Sequence, residues 1–208
     1  MSKPLDLFRS LVRNAADLAT SSVEKLGPVA RVREALDDLV HQRIHIKQGR
    51  LTTALAHLPG VESAQVSARK GSLFVDVTYE RGDHLQAVFT PEWVRFAPRG
   101  AKEVAFRVEP EQQAGSHRVI DIASAIGGTI ALAIWPIVRD ASQRDVSGAI
   151  VDRDGPTRLC VDLRTVPAVR AFEQRGQAAM LLEVLELGAL EVVPGSLELT
   201  LVMPRLAP

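Results

Sequence analysis

The chain has a single cysteine, Cys160, one tyrosine and two tryptophans in 208 residues. A lone cysteine excludes an intrachain disulfide and any multi-cysteine metal site. So few aromatic rings give no base-stacking platform. Twenty-five basic residues against twenty-five acidic ones leave no net charge, so no overall field favours nucleic acid or an anionic surface. A Gly-rich phosphate loop, a G-x-S-x-G elbow and a dinucleotide fingerprint are all missing, because Gly127-Gly128 lies inside an apolar run rather than ahead of a helix. We therefore expect no enzyme activity, no cofactor, no metal and no nucleic-acid partner. The first residues, MSKPLDLFRSLVRNAADLA, scatter charges through any apolar stretch of signal-peptide length. A cytoplasmic protein is expected, with peripheral membrane association left open.

Weak chemical signals have plainer readings. His41 and His45 stand four apart, the spacing of two ligands on one helix face, but Gln42, Arg43 and Ile44 supply no acid between them. They read as a solvated helix end passing into a strand. Asp152 and Asp154 before Gly155 lack the remaining acids of a calcium loop and read as a turn. Cys160, between Leu159 and Val161, has basic and acidic neighbours and no nearby histidine, and reads as a structural or surface thiol.

What the chain does have is a long apolar run, Val119 to Val138, fenced by Arg118 and Arg139. At helical spacing, Ile122, Ile126, Ile130, Ile134 and Ile137 form an aliphatic ridge, while Ala123, Gly127 and Ala131 form a groove of small residues beside it. Twenty residues at about 1.5 Å each just cover a bilayer core of about 30 Å. Asp121 inside the run, Pro136 near its end and the balanced flanking arginines argue against a span. Small residues four apart and Trp135 at an interface argue for one. A buried core helix, a lipid-lining helix and a single span are the readings in play.

Upstream, Leu5, Phe8, Leu11, Val12, Ala15, Leu18 and Val23 predict an amphipathic helix, and Val29, Val32, Leu36, Leu39 and Val40 a second after Gly27-Pro28. Together they are expected to form an N-terminal helical hairpin, docked on a core or on a second copy, with the first helix lying in a membrane interface as the alternative. A short helix is expected at Leu51–Leu58. From Val61 the period changes to two: Leu73, Val75, Val77 and Tyr79, then Leu85, Ala87 and Phe89, then Val94 and Phe96, then Val104, Phe106 and Val108. These are half-buried antiparallel strands with turns at Lys70-Gly71 and Arg99-Gly100. Glu109–Gly115 reads as a linker. Beyond the apolar run come a hairpin at Asp154-Gly155, a short helix from Pro167 to about Arg175, and a hairpin turning at Pro194-Gly195. The stretches from Trp93 and from Ala189 share the order strand, Pro and Gly turn, strand, Pro, which is either a degenerate helix-plus-sheet duplication or chance.

The expected class is α+β, with curved antiparallel sheets packed on a long apolar helix. Residues 1–47 form the N-terminal helical part, 48–112 the first helix-plus-sheet unit, and 113–208 the central helix with the second sheet unit; 48–208 is expected to be one domain. Leu55 to Val75, LAHLPGVESAQVSARKGSLFV, is similar to the helix, turn and hairpin of heavy-metal-associated domains, without the Cys-x-x-Cys pair that binds their metal. That likeness implies local structure only.

Over roughly residues 29–203, the arrangement of bent sheets around a helix resembles the tubular lipid-binding superfamily. The resemblance implies a lipid or other hydrophobic ligand in a groove, here lined by Ile122, Ile126, Ile130, Ile134, Phe89 and Phe106. The competing expectations are an oligomeric scaffold or partner-binding module, joined through its N-terminal helices and small-residue groove, and a single-span membrane protein.

Overall fold

The computed structural model describes residues 43–96, 100–134, 146–167, 169–170 and 186–202. The expected N-terminal helical hairpin, His41, Trp135 and the end of the apolar run lie outside these residues. The architecture is α+β, with every strand pair antiparallel.

Arg43–Lys47, grouped above with the helical N-terminal part, is a strand, β1. Ile44 and Ile46 point inward while Arg43, His45 and Lys47 point out. This two-residue alternation, with β-branched residues on the buried side, favours a strand over a helix. His45 is therefore not on a helix face. Helix α1, Gln48–Ala56, begins and ends slightly before the expected Leu51–Leu58 and buries Leu51, Ala54 and Leu55. Four strands follow: β2, Val61–Arg69; β3, Ser72–Tyr79; β4, His84–Phe96; and β5, Lys102–Glu109. The expected linker contains one helical turn, α2, Glu111–Ala114.

Helix α3, His117–Ile134, is the described part of the apolar run. It leads to β6, Ile150–Asp154, and β7, Arg158–Asp162, which turn at Gly155 as expected. Within the expected short helix, Pro167 and Val169–Arg170 are helical. The last hairpin is β8, Glu186–Val193, with β9, Ser196–Val202.

One sheet has the order β1-β9-β8 and the other β2-β3-β4-β5-β7-β6. Strands from both sides of residue 112 share the larger sheet, and β1 joins the smaller one across most of the chain. The β4–β5 and β8–β9 hairpins, whose sequences look alike, belong to different sheets.

The alternation read from sequence puts Leu73, Val75, Val77 and Tyr79 inside on β3, and Val104, Phe106 and Val108 inside on β5. Lys70 and Gly71 both have positive φ, 53° and 77°, the geometry that two-residue hairpins need and that glycine adopts without strain. Pro91 is accommodated within β4 because the register shifts between Pro91 and Trp93, so the missing N–H falls at a bulge.

The edges of the sheets are managed differently. On β2, the N–H groups of Val66 and Ala68 donate to Thr52 Oγ1 (3.0 Å) and Gln48 Oε1 (3.1 Å) on α1, and the Ala68 carbonyl accepts from Gly195 N–H. Helix α1 and the β8–β9 turn thus satisfy backbone groups that would otherwise template a foreign strand. The outer face of the larger sheet is polar. Arg158 joins Glu92 and Asp154 at 2.6 and 2.9 Å, and Asp76 joins His84 and Gln86 at 2.6 and 2.9 Å. One apolar and one solvated face is the usual division in antiparallel sheets.

Candidate functional site

The core is assembled around α3, which contacts α1, β1 of the smaller sheet, and β6 and β7 of the larger one. The six residues named from sequence come together in one hydrophobic cluster. Ile122, Ile126, Ile130, Phe89 and Phe106 have no exposed surface, and Ile134 is 4% exposed. The Phe89 and Phe106 rings meet edge to face, with centroids 6.2 Å apart and planes at 82°, the arrangement that ring quadrupoles favour.

The small-residue side of α3 is occupied by the chain itself. A Cβ added to Gly128 would overlap the Val146 carbonyl oxygen and lie 2.9 Å from Val146 Cα; one added to Gly127 would overlap Val161 Cγ1. Ser124 Oγ donates to the Ala149 carbonyl and accepts from Gly148 N–H, both at 3.1 Å. These bonds pair the polar groups that the close approach buries. Ala123 and Ala131, the other members of the groove, are fully buried. The groove offered above to neighbouring chains is therefore filled within this one.

The chain matches no protein-family model, curated protein or solved structure.

Among the described residues, no group of three or more His, Cys, Asp and Glu is placed to hold a metal ion. Burial pushes the Cys160 thiol up, and the Asp154 and Glu103 carboxylates push it the same way against the opposing pull of Arg158. Cys160 thus holds its proton more tightly than a free thiol and is a poorer nucleophile. Burial also raises Asp121 on α3, opposed by His117, and Tyr79, opposed by Arg118. The hydrogen bond from Gln86, followed by that from His84, holds Asp76 below the usual carboxylate range against its own desolvation. These shifts accompany surface pairs and partial burial on different elements rather than one cleft.

Sequence reading passed over Lys102. It is fully buried, with Nζ 4.4 Å above the Phe96 ring, a cation–π geometry. The signal was present: Lys102 shares parity with Val104, Phe106 and Val108 on β5, and alternation places it on the inner face.

Proposed function

We propose that this is a non-enzymatic scaffold or partner-binding protein in which the apolar helix is structural core. The observation that supports this reading most directly is the complete burial of Ile122, Ile126, Ile130, Phe89 and Phe106. A groove wide enough for an acyl chain would leave its lining side chains with surface that water could reach in the empty protein. A spanning helix would turn much of its circumference to lipid, whereas 67% of α3 is buried by protein. Contacts with other molecules then fall to the outside of the fold and to the amphipathic sequence before residue 42, which suits a homo-oligomer or a partner helix. A cytoplasmic location accords with this reading.

One observation favours a second reading, a carrier of lipid or another hydrophobic ligand acting at a membrane surface. Helix α3 touches strands of both antiparallel sheets, as a tubular lipid-binding fold would require. Ile130→Trp separates the two. If Ile130 is packed core, the larger ring overpacks it and the variant loses about 1–3 kcal/mol of stability in urea unfolding, with no fatty-acid uptake by either protein. A carrier would keep most of its stability and lose uptake of a fluorescent fatty acid. That second result would reject the scaffold reading.

A further inference from the structure

The two edges of the larger sheet are not alike. On β2 the N–H groups of Val66 and Ala68 are taken up by α1, whereas β6 forms the opposite edge. Val108 N–H donates to the Thr157 carbonyl, which continues the β5–β7 ladder and fixes its phase. In an antiparallel pair, residues directly opposite one another alternate between exchanging both bonds and exchanging none. Leu159 and Val161 therefore turn their backbone groups to β5, and Arg158, Cys160 and Asp162 turn theirs to Asp154, Asp152 and Ile150 on β6. The N–H and C=O groups of Val151 and Arg153 are left pointing out of the sheet, and nothing among the described residues bonds to them. The Arg153 side chain does not close this edge, because its guanidinium is held on the Gly155 and Pro156 carbonyls of the turn.

The side chains of the same strand select an occupant. Ile150 is 50% exposed, and no other large hydrophobic residue among those described is exposed. Asp154 pairs with Arg158 at 2.9 Å, whereas no cation among the described residues pairs with Asp152. Asp162, opposite Ile150, and Glu103 beyond it extend the acidic character over β7 and β5. A second copy of the chain fits this edge badly. Antiparallel pairing of Val151 with the partner's Arg153, and the reverse, sets Asp152 against the partner's Asp152 in a non-hydrogen-bonded pair, where side chains stand closest and like charges destabilise. The same carboxylate favours a strand that carries a cation at that position.

We propose that β6 is a docking edge for an extended segment of a partner protein, added antiparallel, with a lysine or arginine opposite Asp152 and an apolar side chain against Ile150. Main-chain bonds to Val151 and Arg153 hold the segment, and the pair with Asp152 sets its register. The inference gives the partner-binding reading a surface without resting on the packing of α3, so a lipid found inside the protein would leave it standing.

The test is an amide-resolved NMR titration of the full chain with the peptide N-acetyl-Thr-Val-Lys-Val-Ile-Thr-amide. Its controls are the same peptide with Glu in place of Lys, and the Lys peptide N-methylated at both valines. The Lys peptide should give saturable shifts at Val151 and Arg153 and slow hydrogen exchange at both amides. The Glu peptide should bind at least about twofold more weakly, the effect of an exposed ion pair, and Asp152→Lys should reverse that order without lowering the unfolding midpoint. The N-methylated peptide, which lacks the two donors, should protect neither amide. Unprotected Val151 and Arg153 amides, equal binding of the Lys and Glu peptides, or undiminished binding of the N-methylated peptide overturns the proposal. Protection of both amides that rises with protein concentration alone assigns the edge to a second copy and overturns it equally.

Discussion

Gly128→Ala unfolds the protein or destabilises it by at least about 3 kcal/mol, the upper end of overpacking effects. Inside a helix the same change normally helps, by about 0.5–1 kcal/mol, because alanine loses less backbone freedom on folding. At Gly128 that gain is overwhelmed. The added Cβ meets the backbone of Val146, which cannot rotate out of the way as a side chain would. Moving residues 146–149 away would also break the two hydrogen bonds held by Ser124, leaving buried polar groups without partners. Gly49 in α1 is the control, because nothing lies within 4 Å of a Cβ placed there. Gly49→Ala should raise the urea midpoint and Gly128→Ala should lower it or abolish the transition. Equal effects at the two sites would mean that α3 and residues 146–149 do not meet as described.

Phe106→Ala costs about 3–5 kcal/mol, the range for a buried aromatic replaced by alanine. Phe106 lies on β5, between Pro91 of β4 and Leu159 of β7 in the cross-strand register, and is fully buried against Phe89. Its removal leaves a cavity bounded by a central strand, which paired neighbours on both sides keep from collapsing. The cost therefore combines lost transfer energy, lost edge-to-face contact and the cavity itself. Phe106→Leu keeps much of the buried volume and should lose less. Urea unfolding of the two variants ranks them, and a loss below about 1 kcal/mol for alanine would place Phe106 outside the core.

Much of this arrangement was legible in the sequence because side-chain alternation is a local property. Val75, Val77, Val104 and Phe106 declare their faces within a few residues, and the aliphatic ridge of α3 declares a helix. Pairing is not local. Nothing in the residues around Arg158 says that β7 lies beside β5, or that β1 pairs with β9 from Arg43 opposite Thr200 to Lys47 opposite Ser196. The same limit hid the Arg158–Glu92 pair, which spans 66 positions, and the capping of β2 by Gln48 and Thr52.

Of the groove of Ala123, Gly127 and Ala131, Gly127 meets the side chain of Val161, and the close backbone approach, by Val146, falls beside it at Gly128. The six nominated residues were found together because hydrophobicity marks burial. Hydrophobicity does not distinguish a cavity wall from a packed core, since both expel water; that difference lies in the atoms opposite each side chain.

The central claim, that the apolar helix is packed core, is tested most directly by native mass spectrometry of protein purified without detergent. The account predicts one copy or an integer multiple of the chain mass with no bound small molecule. A lipid or fatty acid released in stoichiometric amount would contradict it and make α3 the wall of a binding site.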